Sequence, residues 1–247
     1  CRGFYDYVNE QHYGMSTWSV NNMQLPSSLE DSPLKRVDCN VKYRYYLNPC
    51  TFCYTAPYWT WEEWEKELDR MALHGVNMAL AYTGFEAIFY RVWKKLGLTD
   101  EEIDDFVTGP AHLTWSRIGN MSSLDGGLSQ EYYRHTLELQ HKILDRMEEL
   151  GMTPIFASFA GFVPDGIKRL YPEVEILEAG WKYIPSYVSN FLPVETDLFK
   201  KIAGMYFKEM KKEFGKVRFF QANSFNEMKV PFAPKGTQER FEQIASY

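Results

Sequence analysis

The chain has 247 residues, 45% hydrophobic and 24% charged, with a net charge of −6 and its lysines and arginines scattered. That apolar content supports a sizeable core and excludes a disordered chain, and without a basic stripe to neutralise phosphates nucleic acid is no expected partner. No apolar run approaches the ~20 residues that span a bilayer, which leaves no membrane partner to expect.

Four cysteines, Cys1, Cys39, Cys50 and Cys53, lie in the first quarter of the chain. Only Cys50 and Cys53 have a zinc-like spacing, and one C-x-x-C without a second ligand pair or a thioredoxin-like helix predicts neither a metal nor a cofactor. The chain starts at Cys1 without an initiator Met or a signal peptide, which reads as a fragment or a processed product.

Residues 1 to about 40 differ from the rest. Trp18-Ser19-Val20 is strand-like, and Leu25-Pro26-Ser27-Ser28 and Ser32-Pro33 break the chain, as expected for the tail of a preceding small α/β domain plus a linker. From residue 41 to 247 a regular grammar takes over. Tyr43 to Leu47 is a strand by its aromatic content, and it stops at Asn48-Pro49-Cys50.

A helix follows with Thr60 and Glu63 as a capping box, Trp61, Trp64, Leu68, Met71 and Ala72 on one face, and Gly75 at its end. Val76 to Tyr82 is then a buried strand. Ser129 caps a second helix, Gln130 to Leu150, whose apolar face is assigned Leu137, Ile143, Leu144, Met147 and Leu150, and Met152 to Phe159 is the next strand. Asp197 to Phe214 is a third helix, with Phe199, Ile202, Tyr206, Met210 and Phe214 in register, and beyond Gly215 comes the strand from Val217 to Phe220.

Helix, glycine and buried strand in repetition is the grammar of a parallel α/β sheet. A doubly wound sheet would carry a glycine-rich phosphate loop after its first strand, where Leu47-Asn48-Pro49-Cys50-Thr51 stands instead. The predicted fold is therefore the first half of a (β/α)8 TIM-type barrel, with Thr237 to Tyr247 as the start of its fourth helix. Thr83 to Leu128 and Ala160 to Thr196 are long inserts after strands, whereas the helix-to-strand turns are short. That asymmetry places the site at the carboxyl ends of the strands.

Those ends offer Asn48, Cys50 and Tyr54, then Tyr82, Thr83 and Glu86, then Ser158 and Phe159, and last Asn223, Asn226 and Glu227. Aromatics make up 17% of the chain, which suits a packed core or flat apolar walls that stack on sugar rings, and the polar strand ends suit a neutral polyol. Glycoside hydrolysis requires two carboxyls flanking one bond, and Glu227 is the good candidate here. Glu86 competes, but a Glu in the first turn of a helix reads as a favourable surface charge. Asn120-Met121-Ser122 is a glycosylation sequon for which a turn or pocket role competes.

Arg44-Tyr45-Tyr46-Leu47-Asn48 with Cys50-Thr51, Met71-Ala72-Leu73-His74-Gly75-Val76-Asn77, Thr108-Gly109-Pro110-Ala111, Gly151-Met152-Thr153-Pro154 and Ser224-Phe225-Asn226-Glu227-Met228 recur in one family's order and separations. From about Trp18 to Met228 the chain resembles the α-N-acetylglucosaminidases, glycoside hydrolase family 89. The resemblance implies a retaining exo-glycosidase that removes terminal α-linked N-acetylglucosamine from glycans such as heparan sulfate. It implies Glu227 as general acid/base with Asn226 beside it, a nucleophilic Glu on a later strand beyond Tyr247, and a sugar pocket lined by Asn48, Cys50 and Trp115, to which the strand-end Tyr54 is added as a substrate-binding candidate. It also implies a lysosomal or secreted glycoprotein, alone or as a homo-oligomer of the full-length protein, from which this chain alone would be inactive. Cys53 departs from the small or polar residue expected there. A non-catalytic carbohydrate-binding protein derived from the same fold is the alternative, and a strand-end Glu in the second half of the barrel separates the two.

Overall fold

The computed structural model describes residues 2–9, 27–28, 31, 33, 36–124, 126–182, 184, 186–223, 225–231, 238–239 and 242. The expected strand at Trp18 to Val20 and most of the expected helix at Thr237 to Tyr247 lie outside them. A short helix, α1 (Arg2–Val8), precedes the sheet and packs on α3 (Trp61–Leu73), where the Tyr5 and His74 rings meet at 4.8 Å.

Four strands, β1 (Tyr45–Tyr46), β2 (Met78–Leu80), β3 (Thr153–Ala157) and β7 (Phe219–Gln221), form one parallel sheet in the order β1-β2-β3-β7. The register pairs Tyr45 with Met78, Met78 with Thr153 and Ile155 with Phe219. β1, β2 and β3 lie inside their predicted stretches but are shorter, and β7 starts two residues later than predicted and runs one residue further, to Gln221. The ends of those stretches turn away to connect with helices, and Asn77, beside β2, uses its side chain to accept from the Arg44 N–H at 2.8 Å and to donate to the Lys42 carbonyl. β2 is buried throughout, whereas Tyr45 and Tyr46 on the edge strand are half exposed.

The connecting helices α3, α7 (Gln130–Glu149) and α9 (Asp197–Phe214) cover the sheet. At the start of α3 the Glu63 carboxylate takes hydrogen bonds from the Thr60 N–H at 2.5 Å and the Thr60 hydroxyl at 2.8 Å. This is the expected capping box, and it satisfies donors that the first turn of a helix leaves unpaired. Gly75 follows the last turn at φ +76°, a left-handed backbone that a side chain would disfavour.

The buried stripe of α9 runs through Phe199, Ile202, Tyr206 and Met210, as its spacing predicts. In α7 the stripe is rotated: Tyr133, Thr136, Leu139, Gln140, Ile143 and Met147 are buried, and Leu137, Leu144 and Leu150 sit on its flank. Thr136 is tolerated on that face because its hydroxyl donates to the Tyr132 carbonyl of its own helix at 2.9 Å, and Gln140 because a backbone group beneath it needs a partner. The Gln140 amide donates to the Ala81 carbonyl at 3.0 Å, just past the end of β2.

The two inserts are folded. After β2 come α4 (Phe85–Leu96), α5 (Asp100–Asp104) and α6 (Leu113–Arg117). After β3 a small antiparallel sheet in the order β4-β6-β5 is built from β4 (Phe162–Val163), β5 (Leu177–Gly180) and β6 (Val188–Phe191), with α8 (Gly166–Leu170) between β4 and β5. On the carboxyl side of β1 stands the one-turn helix α2 (Thr51–Tyr54). No helix of the described residues is long and apolar enough to cross a membrane.

Arg169 on α8 grips Glu102 on α5 with two parallel hydrogen bonds of 2.8 Å, joining the inserts. These bonds, together with the Thr99 cap, lower the Glu102 carboxyl from its ordinary 4.5 to about 2. A carboxylate depressed in the folded state adds stability above the unfolded value and loses it as pH falls through the folded one. The thermal midpoint of the full-length protein is therefore expected to fall between about pH 4.5 and about pH 2, and less steeply in Arg169→Gln. Identical slopes in calorimetry would show that the pair does not link proton binding to folding.

Candidate active site

The carboxyl ends of the parallel strands converge on one place. Tyr54 comes from the helix after β1, Trp115 from α6 after β2, Trp181 from the end of β5 after β3, and Glu227 from the turn after β7. Their side chains run in sequence. Tyr54 meets Trp115 at 5.9 Å between ring centroids, Trp115 stacks on Trp181 at 5.7 Å with 26° between planes, and the Trp181 indole N–H donates to Glu227 Oε2 at 3.3 Å. Elements far apart in sequence thus build a single wall of aromatic rings ending at a carboxylate. Aromatic faces of this kind receive the apolar C–H faces of a sugar ring.

Glu227 is exposed. Its backbone is unusual: φ is +55° at Glu227 and +61° at Phe225, the left-handed region that non-glycine residues rarely occupy and that costs roughly 1 to 2 kcal/mol. The surroundings hold it there. The Met228 N–H closes the turn on the Phe225 carbonyl at 3.1 Å, and the Lys182 N–H donates to the Glu227 carbonyl at 3.0 Å. An antiparallel bridge joins Met228 to Trp181. The Phe225 ring is buried against Phe191 at 4.6 Å and Phe162 at 5.9 Å. The small sheet of the second insert is therefore the anvil on which the acid-bearing turn rests.

Asn48, Cys50 and Asn226 sit nearby in supporting roles. The Asn48 side-chain oxygen accepts from the Cys50 N–H at 2.9 Å, an Asx turn that reverses the chain after β1. Pro49, between them, accepts from the Thr114 hydroxyl at 2.8 Å, which ties that turn to the helix of Trp115. Asn226 is half-buried, and its carbonyl accepts from the Asn120 amide at 2.7 Å. Asn120 itself is fully buried, so the folded chain has no room for a glycan on this sequon.

One reading of the sequence changes, and one residue of the wall was missed. Glu86 is not a surface charge: only 6% exposed, its carboxylate receives the Arg117 guanidinium through both Nε and Nη2, the latter at 3.0 Å. A buried carboxylate requires a matched cation, and Arg117 supplies one at the end of α6, directly beyond Trp115. Trp181 went unseen because it is set far from any parallel strand end. Its one sequence signal is a Trp inside an insert already assigned to the site face.

Beneath this wall Tyr82 donates to Gln221 Oε1 at 2.5 Å, bridging the ends of β2 and β7. Burial, with Tyr45 reinforcing it and Arg117 opposing it, raises the Tyr82 phenol above its ordinary value, so it remains a donor across the physiological range.

The alpha-N-acetylglucosaminidase (NAGLU) TIM-barrel domain model matches residues 44–246. Human alpha-N-acetylglucosaminidase is 42% identical over 218 residues, which is 87% of this chain and 29% of that protein. A family 89 glycoside hydrolase from Clostridium perfringens, solved in complex with 2-acetamido-1,2-dideoxynojirmycin, is 29% identical, with a TM-score of 0.82 over 91% of this chain and 26% of its own. The enzyme from that organism carrying two Glu-to-Gln substitutions, in complex with its substrate GlcNAc-alpha-1,4-galactose, is 27% identical, with a TM-score of 0.88 over 99% of this chain and 28% of its own. The chain thus spans under a third of each of these relatives, and by its match over residues 44–246 it belongs to the alpha-N-acetylglucosaminidase TIM-barrel domain family.

Proposed function

We propose that the full-length protein is a retaining exo-glycosidase that removes terminal α-linked N-acetylglucosamine, with Glu227 as its general acid/base. The observation that carries this is the convergence of four strand-following segments on one carboxylate, with the Trp181 indole N–H on Glu227 Oε2 at 3.3 Å and the Tyr54, Trp115 and Trp181 rings beside it. Support also comes from the relatives, one of which was captured with GlcNAc-alpha-1,4-galactose as its substrate. Residues 41–247 are, in this reading, the N-terminal half of the catalytic barrel, and residues 1–40 the end of a smaller domain and a linker.

With Oε2 tied to the indole, Oε1 is the oxygen that hands its proton to the departing glycosidic oxygen. A second carboxylate, on a later strand of the full-length protein, attacks the anomeric carbon from the opposite face and forms a glycosyl-enzyme. Ionised Glu227 then takes a proton from a water molecule whose oxygen attacks the anomeric carbon and displaces that second carboxylate, which releases the sugar with its α configuration restored. Asn48 and Cys50 shape the pocket from the β1 side. Heparan sulfate is the natural glycan class and a lysosomal or secreted location its setting. The chain on its own, with no facing nucleophile, does not turn over.

Proton NMR of the first sugar released from an α-N-acetylglucosaminide tests this. The α anomer is expected before mutarotation. A β product refutes retention, and tight binding without any release would favour a non-catalytic carbohydrate-binding protein.

A further inference from the structure

We infer that Asn120 is a positioning residue for Glu227, and that the Asn120-Met121-Ser122 sequon carries no glycan in the mature protein. The inference rests on the reading of Glu227 as the acid. Asn120 touches neither carboxylate oxygen; it holds the peptide immediately before the acid. Its side-chain amide donates to the Asn226 carbonyl at 2.7 Å, and the residue is 0% exposed.

That peptide needs an external hold. It lies between two left-handed residues, Phe225 and Glu227, neither of them glycine, so the turn would relax if nothing fixed its orientation. A hydrogen bond from a fully buried amide to the intervening carbonyl resists that relaxation, because breaking it strands the donor away from water.

Asn120 is itself clamped. Its N–H donates to the Trp115 carbonyl at 2.8 Å, and the Gly119 carbonyl accepts from the buried Ser189 hydroxyl on β6 at 2.6 Å. Gly119 has φ +80°, and a β-carbon there would come within 2.3 Å of the Phe162 ring. Phe162 in turn packs on Phe225. The backbone of Trp115, the Asn120 amide, the Asn226 peptide and Glu227 therefore form one continuous unit, which sets the distance between the aromatic wall and the acid.

The test uses the full-length enzyme and two substrates, GlcNAc-alpha-1,4-galactose and a dinitrophenyl α-N-acetylglucosaminide, whose leaving group departs without protonation. Misplacement of a catalytic group by about 1 Å costs on the order of 100-fold. Asn120→Ala is accordingly expected to lower kcat/KM on the disaccharide by about 10- to 100-fold and on the dinitrophenyl substrate by less than about 3-fold, because only the former needs the proton. Equal losses on both substrates would assign Asn120 a structural role and overturn the inference, as would no loss on either. Should Asn120→Ala fail to fold, Asn120→Asp, which keeps the shape and removes the donor, and Ser189→Ala, which loosens Gly119, are read by the same comparison.

Peptide mass spectrometry of protein from a glycosylating host is expected to find Asn120 unmodified, and Ser122→Ala is expected to match the parent enzyme. A glycan at Asn120 overturns the inference. Failure of the functional reading looks different: the parent releases no sugar, or Glu227→Gln itself shows no dependence on the leaving group.

Discussion

Glu227→Gln in the full-length protein is expected to lower kcat/KM on GlcNAc-alpha-1,4-galactose by about 100- to 10,000-fold, the range of a lost general acid. A dinitrophenyl glycoside should lose far less in kcat/KM, since its leaving group departs as an anion, whereas its kcat should fall because water attack on the glycosyl-enzyme loses its base. A burst of dinitrophenolate followed by slow turnover is the kinetic signature. Glutamine keeps the shape of the side chain and can still accept from the Trp181 indole that holds Glu227 Oε2, so the aromatic wall remains in place. Small and equal losses on both substrates would remove Glu227 from the chemistry.

The second large effect is on stability. Arg117→Met leaves the Glu86 carboxylate, 6% exposed, without its guanidinium, and a buried pair broken on one side destabilises by about 3–5 kcal/mol. The loss includes packing, because the Arg117 guanidinium lies 5.7 Å from the centre of the Phe52 ring and 6.0 Å from those of Tyr82 and Phe85. Combining Arg117→Met with Glu86→Leu should recover most of the loss, since apolar groups of similar volume do not need to be paired. Thermal midpoints of the two single variants and the double variant decide it. Additive losses would show that the ions are not coupled through burial. Activity is expected to fall in Arg117→Met as well, because α6 carries both Arg117 and Trp115.

The parallel sheet was legible because its signals are local. Thr60 and Glu63 cap, Gly75 ends a helix, and the apolar period of α9 is undisturbed from Phe199 to Met210. Such patterns reflect backbone hydrogen bonding and one-sided burial within a few turns, and they suffice to set element order and the end of the sheet that carries the site. Glu227 was singled out for the same reason, since it stands in the turn that follows the last parallel strand.

What escaped the sequence depends on partners far along the chain. The rotated face of α7 was hidden because Thr136 and Gln140 are polar; the Thr136 hydroxyl is satisfied by the Tyr132 carbonyl of its own helix, and the burial of Gln140 makes sense only once the Ala81 carbonyl lies beneath it. Glu86 looked solvated because nothing local announces Arg117, and Asn120 was left between a glycan acceptor and a turn or pocket residue because nothing local announces Asn226. Trp181 reaches Glu227 through the bridge to Met228, a pairing between an insert strand and a turn with no common pattern. By itself the sequence determined the three helices that alternate with the parallel strands and the order of those strands, and it set Glu227 beyond the last of them, all of which rest on patterns among near neighbours. The tertiary structure alone decided how the Glu227 turn is held, because charge pairing, burial of polar groups and left-handed turns are settled by whichever distant residues the fold brings into contact.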